Sequence, residues 1–164
     1  MNRFLNANEM GVRIGEVLRR RGLTMATAES CTGGTIASMV TAIAGSSDYF
    51  KGGIVSYAVS VKQQVLGVEL HDGVVSQDTA LQMAQGAARV CGADCAVATT
   101  GVAGPGPSEG NPQGTVCIGA VWRKSDGLQV QTARTYVFDG EREDVILQAA
   151  DAALRLLEAL ITQN

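Results

Sequence analysis

Residues 23–45 have the sequence LTMATAESCTGGTIASMVTAIAG. The residues up to Ser30 form a short apolar run that is typical of a buried strand, and apolar side chains recur at helical spacing from Ile36 onward. Between them lies a turn whose two glycines allow backbone conformations that other residues avoid. The pattern predicts a strand, a turn and a helix that ends at Gly45.

Further helices and strands alternate on both sides of this unit. A helix is predicted over residues 8–21, where apolar side chains recur at helical spacing before Gly22. The segments after the unit are predicted, in order, as a strand over 52–59, a short helix capped by Ser60, a longer helix capped by Ser76, a strand over 93–101, an antiparallel hairpin over 115–123 and 128–138, and a closing helix over 141–162. This order predicts the α/β class: a single three-layer α/β/α domain over residues 1–164 with a mixed sheet.

The composition fits one folded domain with its own apolar core. Of the 164 residues, 46% are hydrophobic and 18% are charged, so the chain can bury a core without disulfides. Its 13 lysines and arginines are outnumbered by 16 aspartates and glutamates, which gives a net charge of −3. Because binding to a phosphate backbone requires a basic surface, we expect no nucleic-acid partner.

Neither a membrane segment nor a metal site is expected. The longest uncharged stretch, residues 30–47, is interrupted by serine, threonine and glycine, and the N-terminal residues are amphipathic rather than typical of a signal peptide. The four cysteines include no CxxC pair and His71 is the single histidine, so they cannot complete a zinc site of normal spacing. We therefore expect a cytoplasmic protein with free thiols.

The first predicted strand ends in small polar residues and glycine. Ser30, Thr32, Gly33 and Gly34 follow it at the start of a helix, where backbone N–H groups favour a phosphate or a carboxylate. A second interpretation fits equally well, because Ser30 or Thr32 could simply cap that helix. The segment is neither a Walker loop nor a GxGxxG motif.

The strand over 93–101 ends in a similar way. Thr100 and Gly101 open a long loop, residues 101–114, that contains all three prolines of the chain. Loops of this length are uncommon in compact domains and are often functional. Since ligands of α/β sheets bind beyond the carboxyl ends of strands, both strand ends are predicted to lie at a binding site.

Lys62 is a candidate base. It falls in the first turn after Ser60, where the positive end of the helix dipole disfavours an ammonium, although most lysines are solvated surface groups. If the preceding strand returns beside the second helix, Ser47 can meet Lys62 in a Ser-Lys arrangement, which activates a hydroxyl without histidine. Tyr57 lies near the end of that strand and could steer the lysine, and Arg142 opens the closing helix, where it could clamp a phosphate.

Four separated segments carry a resemblance to a known family. They are TAESCTGGTIAS (27–38), AGSSDYFKGGIVSYAVSVKQQVLGV (44–68), GVVS (73–76) and TTGVAGPGPSEGNPQGTV (99–116). Together they resemble the C-terminal domain of the competence/damage-inducible protein CinA, a family that includes stand-alone nicotinamide-nucleotide amidohydrolases. The resemblance implies hydrolysis of nicotinamide mononucleotide (NMN) to nicotinic acid mononucleotide and ammonia, in pyridine nucleotide recycling, without a metal or an organic cofactor.

The resemblance also implies roles for individual residues. The Ser-Lys pair of the family falls on Ser47 and Lys62, accompanied by Tyr57, and Ser30 is a rival nucleophile. The positions expected to hold the nucleotide substrate are Ser30, Thr32, Gly33, Gly34, Thr100, Gly101 and Arg142. The resemblance and the apolar closing helix also lead us to expect a homo-oligomer.

The chain departs from the family pattern at two places, and two alternatives stay open. Residues 57–62 have the sequence YAVSVK where the family commonly has YSNEAK, and residues 111–113 have NPQ where Lys-Pro is more usual. Both changes concern the polar surroundings of the lysine and hence the substrate preference. The first alternative is a non-catalytic nucleotide-binding or interaction module. The second is a reactive Cys31, whose thiolate a helix start would stabilise.

Overall fold

The computed structural model describes residues 8–164, so residues 1–7 of the predicted domain lie outside the described residues. The helices are α1 (Glu9–Arg21), α2 (Thr35–Thr41), α3 (Val59–Leu66), α4 (Gln77–Cys91) and α5 (Arg142–Thr162). The strands are β1 (Met25–Glu29), β2 (Phe50–Val55), β3 (Cys95–Gly101), β4 (Thr115–Arg123) and β5 (Gln129–Val137). A short 3-10 helix, Ser46–Asp48, precedes β2. None of the helices between residues 8 and 164 is both long and apolar enough to cross a membrane.

The strands form one mixed sheet in the order β2-β1-β3-β4-β5. Strand β1 pairs in parallel with both β2 and β3, so that Glu29 at its end lies opposite Val55 on one side and Thr99 on the other. Strand β4 runs antiparallel to β3 and forms the predicted hairpin with β5. The carboxyl ends of β1, β2 and β3 therefore meet at one edge of the sheet.

Helices cover both faces of this sheet, which confirms the predicted three-layer α/β/α architecture. On one face, α1, α2 and α5 enclose a core that includes Leu18 and Leu157. On the other face, α4 packs on the sheet through residues such as Met83, and α3 packs against α4. Helix α4 approaches closely because Gly119 of β4 has no side chain, and a Cβ there would lie 2.7 Å from the backbone of Ala80.

The predicted boundary between the second strand and the following helix is wrong by several residues. Strand β2 ends at Val55, and the next residue, Ser56, still donates its N–H to the carbonyl of Glu29 at 2.9 Å before the chain leaves the sheet. Helix α3 begins after Ala58, and Ser60 lies inside its first turn instead of capping it. In this turn, the carbonyl groups of Ser56 and Tyr57 accept hydrogen bonds from the buried side chain of Lys62.

Of the other predicted helix ends, one is misplaced and two agree with the structure. Helix α2 ends at Thr41, earlier than predicted, and Gly45 with a φ of 82° begins the 3-10 turn that leads to β2. Ser76 caps α4 as predicted, since its hydroxyl accepts from the N–H of Thr79. Gly22 closes α1 in the left-handed conformation.

Candidate active site

The carboxyl ends of β1, β2 and β3 surround a pocket of about 530 Å³. Residues that follow β1 and β2 lie on one side of it, and the loop after β3 forms another wall. Helix α3, the segment before α4 (Val74 and Val75) and the first residue of α5 complete the lining. The predicted site residues that line this pocket are Ser30, Tyr57, Lys62, Thr100, Gly101 and Arg142.

Lys62 is buried beside the turn that follows β1. Its side chain is 1% exposed, and its Nζ donates to Ser30 Oγ at 2.9 Å. The same nitrogen donates to the carbonyl oxygen of Ser56 at 2.6 Å and to that of Tyr57 at 3.1 Å. Burial lowers the pKa of Lys62 from its usual 10.5, because an ammonium loses its hydration in this position.

These three contacts suit a proton acceptor. A neutral amine has two N–H protons, which the carbonyl groups of Ser56 and Tyr57 can accept. The lone pair of the nitrogen is then left for its third neighbour, the hydroxyl of Ser30. The geometry therefore allows a deprotonated Lys62 to take the proton of Ser30.

Ser47 lies at the opposite edge of the sheet and is exposed. It belongs to the 3-10 helix before β2, whereas Lys62 lies beyond the carboxyl end of the same strand. A strand advances roughly 3.3 Å per residue, so the length of β2 alone separates the two by about 17 Å. The expected contact between Ser47 and Lys62 does not form, because β2 runs away from Ser47 and parallel to β1, which brings Ser30 to the lysine.

The turn that presents Ser30 is built on the buried carboxylate of Glu29. Oε1 of this residue accepts from Thr32 Oγ1 at 2.6 Å and from the N–H of Ile36 at 2.8 Å, and Oε2 accepts from the N–H of Ala37 at 3.1 Å. The carboxylate thus ties the end of β1 to the start of α2, where backbone N–H groups favour a negative charge. Sequence reasoning missed Glu29, although an acidic residue at the end of an apolar strand and before a helix was a usable signal.

Thr32, Gly33 and Gly34 support this turn and are absent from the pocket lining. Thr32 Oγ1 lies 2.8 Å from Thr99 Oγ1, which connects the turn to β3. Gly33 and Gly34 have φ values of 57° and 105°, in the left-handed region that favours glycine. The alternative in which Ser30 or Thr32 caps the helix is wrong, because Gly34 is the N-cap of α2 and has no side chain to cap it. Of the four predicted residues of this segment, only Ser30 lines the pocket.

Arg142 joins two walls of the pocket. Its Nη2 donates to Tyr57 Oη at 2.8 Å, and its Nη1 donates to the carbonyl of Gly104. Tyr57 is 59% exposed and contacts Lys62 through its backbone carbonyl, not through its phenol. The guanidinium thus links the segment after β2 to the loop after β3, at a position where its planar fork can also meet an anion.

Thr100 and Cys31 also line the pocket. Thr100 Oγ1 donates to the carbonyl of Val74 at 2.9 Å, so its hydroxyl is left to accept from a ligand. Burial raises the pKa of the Cys31 thiol to about 11, which keeps it protonated at neutral pH and argues against the alternative of a reactive thiolate. Within residues 8–164, no group of three or more His, Cys, Asp or Glu side chains is placed to hold a metal ion.

The chain matches the model of the CinA C-terminal domain over residues 7–161. It belongs to the CinA C-terminal domain family. A CinA superfamily protein from Klebsiella pneumoniae superposes with a TM-score of 0.88 at 31% identity, over 96% of this chain and 98% of that chain. The competence/damage inducible protein CihA from Agrobacterium tumefaciens superposes with a TM-score of 0.84 at 40% identity, over 93% and 94% of the two chains.

Curated relatives of this family member are of two lengths. A CinA-like protein from Chlorobium phaeobacteroides is 44% identical over an alignment of 146 residues that covers 86% of this chain and 34% of the relative. The chain therefore spans about a third of the length of such relatives. Nicotinamide-nucleotide amidohydrolase PncC from Escherichia coli K12 is 39% identical over an alignment of 161 residues that covers 95% of each chain.

Proposed function

We propose that this chain hydrolyses the carboxamide of NMN to nicotinic acid mononucleotide and ammonia. The observation that carries the proposal is the 2.9 Å contact of Lys62 Nζ with Ser30 Oγ, inside a pocket whose volume suits a nucleotide. The match to an amidohydrolase over 95% of both chains supports it. The reaction would serve the recycling of pyridine nucleotides in the cytoplasm.

Ser30 is the proposed nucleophile, in place of Ser47. Neutral Lys62 accepts the hydroxyl proton while Ser30 Oγ forms a bond to the carboxamide carbon, and the electron pair of the C=O bond moves onto its oxygen. The proposed donors to this oxyanion are the backbone N–H groups of Cys31 and Thr32, which directly follow the nucleophile. The proton that leaves Ser30 is then held on Lys62.

Lys62 next acts as an acid. Its ammonium gives the proton to the amide nitrogen as the C–N bond breaks, so that ammonia leaves and the acyl group remains as an ester on Ser30 Oγ. A water molecule then attacks the ester while Lys62 accepts its proton, and Lys62 returns that proton to Ser30 Oγ as the ester bond breaks. One amide and one water are consumed, and one acid and one ammonia are formed.

The other pocket residues are proposed to hold the nucleotide. Arg142 is the cation expected to bind the phosphate, because its fork of N–H groups matches phosphate oxygens. Thr100 can accept a hydrogen bond from the substrate, and Gly101 lets it approach the backbone. Tyr57 orients both Lys62 and Arg142. The homo-oligomer and the lack of a nucleic-acid partner remain predictions.

Ammonia release from NMN by the purified chain tests the proposal. We expect one ammonia for each nicotinic acid mononucleotide, and free nicotinamide, which lacks the phosphate for Arg142, should be a poor substrate. Binding of NMN without release of ammonia would favour the non-catalytic nucleotide-binding module instead. If the chain neither binds NMN nor releases ammonia from it, the proposal that NMN is its substrate is wrong.

A further inference from the structure

Glu109 has a backbone conformation that its residue type rarely adopts. Ser108 and Asn111 exchange two backbone hydrogen bonds, at 3.0 and 2.9 Å, so that Glu109 and Gly110 form the two-residue tip of a tight turn. The φ values of Glu109 and Gly110 are 51° and 77°, which are the left-handed values that such a turn requires. Glycine and asparagine adopt them readily, whereas glutamate does so at a cost. Strained residues at the wall of a pocket point to a function for the side chain.

The carboxylate of Glu109 also differs in charge from the basic side chains of the pocket. Among the described residues that line the pocket, Glu109 is the only carboxylate, and Lys62 and Arg142 are the basic side chains. Within the described part of the chain, no salt bridge involves Glu109. Its oxygens are therefore available to a ligand. The charge of Glu109 also acts on the reaction centre. Burial lowers the pKa of Lys62, and the negative charge of Glu109 is one of the influences that raise it.

A carboxylate in the pocket can stabilise a substrate ring that carries a positive charge. NMN carries a positive charge on its pyridinium ring and negative charge on its phosphate. When the carboxamide lies at Ser30, the ring lies in a pocket whose other ionisable groups are basic: Arg142 is a cation, Lys62 is one whenever it holds a proton, and a cation repels the ring. We propose that Glu109 is a specificity residue that binds the substrate through the positive charge of its pyridinium ring, an inference that rests on the proposed function.

The consequence is selection by ring charge. Dihydronicotinamide mononucleotide (NMNH) has the same amide, ribose and phosphate as NMN, but its reduced ring is neutral. A carboxylate that interacts with the ring charge favours NMN over NMNH. A carboxylate that only accepts hydrogen bonds from the ribose would favour both ligands equally.

Calorimetric binding to the Ser30→Ala protein tests this without turnover. The Kd of NMN and of NMNH is measured for Ser30→Ala alone and for the double variants with Glu109→Gln or Glu109→Gly. Glu109→Gln removes the charge at almost constant size, and Glu109→Gly removes both the charge and the strain. We expect the Kd of NMN to rise roughly tenfold in both double variants and that of NMNH to rise less than about twofold. The Tm of the Glu109→Gly protein should equal or exceed that of its parent.

Three results would overturn the inference. Equal weakening of the two ligands would mean that Glu109 does not interact with the ring charge, and unchanged binding of NMN would mean that it does not contact the substrate. A Tm several degrees lower in Glu109→Gly would show that Glu109 supports the loop instead. Each of these results is compatible with ammonia release from NMN by the wild-type chain. If the wild type neither binds nor hydrolyses NMN, the proposed function fails, and this inference fails with it.

Discussion

Glu29 and Thr32 form a 2.6 Å hydrogen bond inside the turn that presents Ser30. The Glu29 side chain is 1% exposed, so water cannot replace this bond or the two that the carboxylate accepts from the backbone of α2. The position of the proposed nucleophile therefore depends on a buried charge that does not itself reach the pocket.

Replacing this carboxylate should misplace Ser30. Glu29→Gln exchanges one acceptor oxygen for an amide NH₂ that cannot accept from a backbone N–H, and should lower the free energy of unfolding by about 1–3 kcal/mol. We also expect a lower kcat with a smaller change in KM. Urea denaturation and ammonia release measure the two effects. The control Thr32→Val removes one of the three hydrogen bonds to the carboxylate, together with the contact between Thr32 and Thr99, but keeps both bonds to the backbone of α2. It should therefore lower kcat less than Glu29→Gln does, whereas a Glu29→Gln protein with wild-type stability and kcat would refute this role.

Activity should rise with pH as Lys62 loses its proton. Burial lowers the pKa of Lys62 from 10.5, and only the neutral amine can accept the proton of Ser30, so kcat/KM should increase along one ionisation that lies below pH 10.5. Lys62→Arg should be almost inactive at every pH, because a guanidinium keeps its charge. Lys62→Met, which lacks the charge as well, is the matched control for folding and NMN binding. Substantial turnover by Lys62→Arg would make the lysine a charge clamp and would exclude the Ser-Lys mechanism.

The fold was largely predictable from the sequence, because helices and strands follow local apolar patterns. The hairpin of β4 and β5 and the cap at Ser76 are examples. Which serine meets Lys62 is not a local property. It depends on β2 running parallel to β1, which places Ser47 at one edge of the sheet and Lys62 with Ser30 at the other.

The roles of single polar residues were harder to predict for a related reason. Ser30 and Thr32 are of similar chemical type and two positions apart, yet one faces the pocket and the other binds Glu29. Their directions are set by the turn between β1 and α2, which a sequence pattern does not specify. Arg142 was predictable as a helix-opening cation, but its contact with Tyr57 joins segments that lie far apart in the chain.

Arg142 should act mainly through substrate binding. Arg142→Lys keeps the charge but loses the fork that meets both the phosphate and Tyr57, so KM for NMN should rise roughly tenfold with a smaller change in kcat. Tyr57→Phe removes only the 2.8 Å bond between the two side chains and should have a weaker effect of the same kind. Steady-state kinetics on NMN separates these effects. A fall in kcat at saturating NMN with an unchanged KM would place Arg142 in the chemical step instead.

The Cys31 thiol should be inert at neutral pH. Its pKa is raised to about 11 by burial, so alkylation by iodoacetamide should be slow near neutrality and should accelerate as the pH approaches that value. Cys31→Ala should retain activity, because only the backbone N–H of this residue is assigned a role. Mass spectrometry of the labelled chain gives the rate. Rapid labelling at neutral pH, coupled to loss of activity, would instead support a reactive cysteine.

The central claim is that Ser30 attacks the substrate, and the most direct measurement is ammonia release from NMN by Ser30→Ala beside Ser47→Ala. Each variant removes a serine hydroxyl, one at each of two opposite edges of the sheet. Because Ser47 is exposed, Ser47→Ala should disturb folding no more than Ser30→Ala does. We predict that Ser30→Ala loses at least about 10³-fold in kcat, and that Ser47→Ala stays close to the wild type. Near-normal turnover by Ser30→Ala, or loss of turnover in Ser47→Ala alone, would contradict the account.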